Sequence, residues 1–417
     1  MFDARLDVRP PLNDEQLCEV PAKRGVFLLT AEGDRPILLT TAASIRNRLR
    51  GRLDEHDPSQ PTRSADLRAI TRAVHWKLAG GHFEMDWRYL ELARAIWPKS
   101  YHKMLSWKPA WFVRVDPDEP YPHFERVRGA PAWSGQCVGP FETARSAEKF
   151  IEIVQDAFDL CRDVQCLRRS PNAARCAYGQ MGRCLSPCDG SVSMDQYRLA
   201  AARAADFAAG RRAGRIEEFK ARMRDEARQL KFELASATKA RLERLAELEA
   251  PAYRHVAPAR EFSFLMIQPS GSRRRVEVFL AGRGAIEQAE PLEYPLDAVK
   301  VQRRIGRMGR FVMTAATAAA AHGQDACATQ DVRATGEQGQ DAPATHGQDA
   351  HATAGPPAAD DACPWRMGLV ARALFAGWAR GGLLIRWREG LQVGDVRQAV
   401  ESAAKELGLS KRAPDPL

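Results

Sequence analysis

Five of the chain's nine cysteines, Cys161, Cys166, Cys176, Cys184 and Cys188, fall in one short stretch, and no other feature of the 417 residues limits the fold as much. The spacing Cys166-x9-Cys176-x7-Cys184-x3-Cys188 delivers four thiols to one locality. That donor set suits a soft metal, either zinc in a tetrahedral site or a [4Fe-4S] cluster. No Cys-x2-Cys pair is present, so an ordinary zinc ribbon fits poorly. Arg168, Arg169, Arg175 and Arg183 lie among the cysteines, where they lower thiol pKa values and offset the charge of a thiolate-bound cluster. Cys161 is an alternate to Cys166, and the sequence does not choose between them. Scattered buried cysteines are the plainer alternative. Cys18, Cys137, Cys327 and Cys363 read as ordinary residues.

Whether these thiols stay reduced depends on compartment. The first residues carry Asp3, Arg5, Asp7 and Arg9 where a secretory signal needs an uninterrupted apolar segment, so a cytoplasmic, nucleoid-associated chain without a disulfide framework is expected. Hydrophobic residues make up 45% and charged residues 28%, with no apolar run near the roughly 18 residues of a membrane helix, so no membrane partner is expected. The length predicts two to four modules. Lys and Arg number 62 against 53 Asp and Glu, a formal charge of +9 that favours nucleic acid as partner, the alternative being a merely soluble basic protein.

Periodicity predicts an α+β chain. Residues 25–39 read as a strand, a Glu32-Gly33-Asp34 turn and a second strand, followed by a basic helix over 41–53 with Arg46, Arg48, Arg50 and Arg52. A helix is expected over 84–97, a strand over 111–115 and an amphipathic helix over 143–160. Residues 194–210 and 215–249 follow helical spacing, the latter with Phe219, Met223, Leu230, Leu234 and Leu245 in its apolar stripe. Residues 262–282 alternate as a short β-hairpin, and 365–407 read as helical with Trp365, Trp378 and Trp387. Between them, residues 314–362 repeat the octets HGQDACAT, QGQDAPAT and HGQDAHAT, the composition of a disordered linker; His322, His346, His351 and Cys327 are assigned no site.

The segment Gln180-Met181-Gly182-Arg183-Cys184-Leu185-Ser186-Pro187-Cys188-Asp189-Gly190, followed by Ser193 to Tyr197 and by Phe207 to Gly210, resembles the UvrC family, the incision subunits of bacterial nucleotide excision repair. Upstream, Val138-Gly139-Pro140-Phe141 and Tyr121-Pro122 resemble the family's stretch after its first nuclease domain. Downstream, Phe219 to Leu245, and above all Leu230 to Ala235, is similar to the UVR motif through which that family binds UvrB.

The resemblance implies a degenerate GIY-YIG nuclease domain over 25–103, a small mixed sheet flanked by helices, after an N-terminal segment (1–24). A connecting and cysteine-cluster region (104–210), a UVR-like helical hairpin (211–250), a small β region (251–313), the linker and a helical C-terminal segment (363–417) follow. It further implies cluster ligands at Cys166, Cys176, Cys184 and Cys188, UvrB contacts at Phe219, Met223, Leu230, Phe232, Glu233 and Leu234, and damaged double-stranded DNA on Arg46, Arg48, Arg50 and Arg52. Arg48 stands at the family's catalytic arginine, Glu91 at its Mg²⁺-binding glutamate, and His102 where it has asparagine. Here the chain departs from the pattern: Phe27 and Leu38 replace the signature tyrosines, and Thr41 replaces a lysine. Neither Phe27 nor Leu38 can move a proton, and general acid–base help contributes about 10²–10⁴-fold. The resemblance thus implies a structure-specific DNA incision endonuclease that is weakened or inactive, the alternative being a non-catalytic DNA- and UvrB-binding adaptor. Residues 262–282 are similar to the first hairpin of the family's second nuclease domain, whose remainder is not recognisable.

Overall fold

The computed structural model describes residues 1–8, 14–53, 67–129, 136–270, 272–325, 361–377 and 382–409. Strands β1 (Ala4–Asp7), β2 (Gly25–Thr30), β3 (Pro36–Ala42) and β4 (Ala73–Leu78) form a sheet of order β1-β4-β2-β3. Every pairing in it is antiparallel, which corrects the expected mixed sheet. The reason is local: a tight turn at Glu32–Asp34, with Gly33 at φ 69°, joins β2 to β3, and so short a connection permits only antiparallel neighbours. Helix α1 (Asp14–Glu19) precedes β2, and the basic helix α2 (Ile45–Leu53) starts later than its sequence predicts, because β3 continues through Ala42. Helix α3 (His82–Ile96) follows β4. Side chains alternate along β2, so Phe27 and Leu29 pack with Ile45, Leu49 and Leu53 of α2 on one face. Val26 and Leu28 meet Phe83, Leu90 and Ala93 of α3 on the other.

The second sheet, of order β6-β5-β7-β8, takes β5 (Trp111–Arg114), β6 (Glu125–Arg128), β7 (Cys137–Phe141) and the two-residue β8 (Ala257–Pro258). Around it run α4 (Ala144–Phe158), α5 (Val164–Arg168), α6 (Ala177–Gln180), α7 (Met194–Ala208) and the antiparallel hairpin α8 (Ala213–Arg228) and α9 (Phe232–Ala246). Capping boxes start α4 (Thr143 with Ser146) and α7 (Ser193 with Gln196), satisfying backbone N–H groups that the first turn leaves bare. The two helices bury Phe150, Val154 and Phe158 with Tyr197, Ala204 and Phe207, and the Phe158 and Phe207 rings meet edge to face at 5.5 Å.

The third sheet, of order β11-β10-β9-β12, unites β9 (Ser263–Pro269), β10 (Arg275–Gly282), β11 (Ala285–Glu293) and β12 (Leu383–Arg386). Residues 262–282 are therefore the start of an antiparallel meander rather than a lone hairpin. The expectation of an all-helical C-terminal segment is corrected too, since β12 joins the free edge of β9 with Leu383 opposite Ile267. The β region and the C-terminal segment are one unit. Helix α10 (Ala298–Asp325) runs past residue 314, into what was expected to be linker; residues 326–360, and with them Cys327, His346 and His351, lie outside the described residues, as does Trp378. Helix α10 and the last helix, α12 (Val393–Ser402), cover one face of this sheet through Val301, Ile305, Met308, Val396 and Val400.

The other face enters a core shared by all three sheets. Phe264, Met266 and Phe279 of the third sheet, Val26 and Leu28 of the first and Phe112 and Cys137 of the second converge there on α3 and on α11 (Cys363–Ala376). The close seat of α11 depends on Gly368: a Cβ there would lie 2.4 Å from the Lys108 carbonyl oxygen. Among the described residues, no helix is long and apolar enough to cross a membrane.

Candidate functional site

The residues that the resemblance assigns to catalysis are not gathered. Phe27 is fully buried in the core beneath α2, and the partly buried Leu38 packs against that same core. Arg48 is exposed on α2. Glu91 and His102 belong to α3 and the turn after it, on the opposite side of the sheet from Phe27.

Glu91 is already engaged. Arg366 of α11 donates from Nε and Nη2 to its two carboxylate oxygens at 2.7 and 3.0 Å. A bidentate guanidinium matches both the charge and the in-plane lone pairs of a carboxylate, so a metal ion would have to displace it. Arg366 lies 275 residues away along the chain, and no spacing in the sequence marks it as the partner. The residue before it, Trp365, stands 6.1 Å from the His102 ring and 6.5 Å from the Tyr101 ring. His102 is thus part of an aromatic cluster.

The basic helix divides in the same way. Arg46 donates to the carbonyls of Val20 (2.8 Å) and Cys18 (2.9 Å), holding the end of α1. Arg48 and Arg50 are exposed, and Arg52 is half-buried.

The five cysteines are carried on the loops and short helices between α4 and α7. Cys188 is fully buried; burial, and then the neighbouring thiols of Cys176, Cys184 and Cys166, push its pKa up. Cys184 accepts the Ser186 backbone N–H at 3.3 Å. A hydrogen bond with the Cys161 thiol, before any other cause, pushes Cys184 down to about 7, and that bond together with burial pushes Cys161 up. Cys166 donates to Asp163 Oδ2 at 3.2 Å, with Arg169 donating to its sulfur at 3.6 Å. Among the described residues, no three His, Cys, Asp or Glu side chains converge as ligands of one metal ion. Thiols are donors a soft metal would accept, and the Ser186 backbone N–H points at the Cys184 sulfur.

The helical hairpin is pinned at its base and bare at its tip. Phe219 is 3% exposed, packed in the core of the second sheet's helices with Arg215 stacked 4.6 Å over its ring. Glu226 accepts from Thr238 (2.7 Å) and from Arg222 (2.8 Å), a polar clamp between α8 and α9. Met223 is half-buried and Glu233 exposed. At the turn, Leu230, Phe232 and Leu234 are 73%, 65% and 50% exposed, a cluster of large apolar side chains in water.

The second sheet with its cysteine-bearing helices defines a recognisable class of domain. Residues 110–207 match the family described as UvrC/Cho excinuclease, middle domain, which bears out the resemblance read from the cysteine segment. The chain is similar to UvrABC system protein C of Moorella thermoacetica, 24% identical over 238 residues, 56% of this chain and 38% of the relative. It is also similar to UvrABC system protein C of Desulforudis audaxviator, 26% identical over 270 residues, 63% of this chain and 42% of the relative. The protein of that name from Hyphomonas neptunium is 24% identical over 275 residues, 65% and 44%. The matched stretch spans about two fifths of each relative's length. No solved structure matches the chain.

Proposed function

We propose that the chain is a UvrC-like excision-repair protein that works as an adaptor, holding damaged duplex DNA and UvrB without cutting. One observation carries this reading: the carboxylate that a Mg²⁺-dependent incision would use is closed by Arg366. Phe27 and Leu38, which carry no ionisable group, point the same way. The bare tip residues Leu230, Phe232 and Leu234 suit an apolar partner surface such as UvrB would offer, and the exposed Arg48 suits DNA phosphates.

Cys176, Cys184 and Cys188, with Cys166 or Cys161, would hold the metal centre, zinc or [4Fe-4S]; in either form it would fasten the loops between α4 and α7 through metal–sulfur bonds. Tyr197 supports that region by accepting the Cys161 N–H at 3.2 Å.

The test is incision of a lesion-bearing duplex with Mg²⁺, with and without UvrB, for wild type, Arg48→Ala and Glu91→Ala. The expected result is no cutting alongside retained UvrB and DNA binding. Cutting that both substitutions abolish would establish a live nuclease and end the adaptor reading.

A further inference from the structure

The seam between the second sheet and α11 opens as a groove of about 400 Å³, walled by Trp107, Lys108, Trp111, Arg128, Arg372 and Phe375. Cations and rings meet in it. Arg128 stands 4.3 Å over the Trp111 ring, with Arg126 at 5.5 Å from the same ring. Arg372 lies 5.8 Å from the Trp107 ring, and Lys108 lies 5.8 Å from the ring of Trp365, which is outside the groove lining.

These cations do different jobs. Arg372 is held by Asp86 (3.2 Å) and the Ser106 hydroxyl (3.2 Å), and Arg126 is paired with Glu148. Arg128 and Lys108 are exposed and have no carboxylate partner among the described residues. The lining carries one acid, Glu142, against three cations, so the groove is net positive.

We infer that this groove is a binding site for an unpaired strand of nucleic acid. Planar side chains set among unneutralised cations match a ligand that presents free base faces and a phosphate charge at every residue. A guanidinium lying over an indole extends the stacking surface, because a base can stack on either plane. A duplex offers the phosphates but keeps its base faces inside the helix, so the rings would go unused. The site is separate from the duplex contact assigned to α2, and its second wall, α11, lies outside the residues that match the middle-domain family. It stands whether or not the adaptor reading does.

The experiment is a fluorescence anisotropy titration of the full chain with labelled oligo-dT and with a labelled hairpin duplex. Trp111→Ala and Arg128→Glu are each expected to weaken oligo-dT binding roughly tenfold, one stacking contact's worth, while duplex binding changes less than about twofold. Trp111→Phe keeps a ring and is expected to bind nearly as wild type, which separates lost stacking from lost fold; Arg48→Ala is expected to show the reverse pattern, losing duplex and keeping oligo-dT. Photo-crosslinking with 4-thiothymidine in the oligonucleotide is expected to label peptides around residues 107–111 and 372–375. The inference is overturned if wild type does not bind oligo-dT, if both variants bind it as wild type does, if dT and duplex affinities fall together, or if the crosslinks map elsewhere.

Discussion

His255 shows how much a single side chain can record of its surroundings. Its Nε2 accepts from Arg254 Nε at 2.9 Å, its ring lies edge-on to Phe375 at 5.6 Å, and Arg386 donates to its carbonyl at 2.7 Å. Burial first, and then the charges of Arg254 and Arg386, push its pKa down to about 4. An unfolded histidine takes its proton near 6.5, so between those values the unfolded chain binds more protons and stability rises with pH. The contribution is complete above about pH 6.5 and is lost as pH falls toward 4. Melting temperatures measured from pH 7 to pH 4 are expected to fall less steeply for His255→Asn than for wild type; equal slopes would remove the claim. At this scale the sequence is legible where chemistry is lost, as at Phe27 and Leu38, because an absent hydroxyl needs no coordinates to be noticed. It is silent where a contact spans the chain. Glu91 can be matched to a metal ligand by position, but only the fold reveals that Arg366 reaches it.

Among the elements, the helical hairpin has a buried base at Phe219 and an exposed apolar tip at Leu230, Phe232 and Leu234. Phe219→Ala is expected to cost about 3–5 kcal/mol, the usual consequence of emptying a phenylalanine site in a core. Phe232→Asp with Leu234→Asp changes side chains already in water, so the melt is expected to move by no more than about 0.5 kcal/mol while UvrB affinity drops. Calorimetry and a binding titration on the same preparations read both effects, and unchanged UvrB affinity would refute the assignment of the tip. Elements with strong local signals were readable beforehand: the apolar spacing of α4 and the turn between β2 and β3 both specify their structures without help. Strand β12 was not. Its four residues, Leu383 to Arg386, satisfy helix and strand patterns equally, and the vacant edge of β9 decides between them.

The molecule as a whole is held by α11. Three sheets that share no strand meet beneath it, and its contact with the Lys108–Pro109 segment tolerates no side chain at Gly368. Gly368→Ala is expected to destabilise by about 1–3 kcal/mol, as overfilling a packed contact does. Hydrogen exchange would show whether the core is truly common: amides of β2, β7 and β9 are expected to exchange faster together in that variant, and acceleration confined to α11 would mean that each sheet is stable alone. Composition and periodicity could not disclose this arrangement, because each segment's apolar face looks the same whether it is covered by its neighbour or by a helix from far along the chain.

The position of α11 also sets the order in which the molecule can be completed during synthesis. Val26, Phe279 and Met266 leave the ribosome long before Met367, Leu369 and Val370, the residues that cover them. Until then the three sheets, the third still lacking β12, present apolar faces to solvent at once, the condition in which nascent chains associate wrongly. A ribosome stalled before residue 363 would therefore hold a chain that needs a chaperone, and release of the next few dozen residues would end that need.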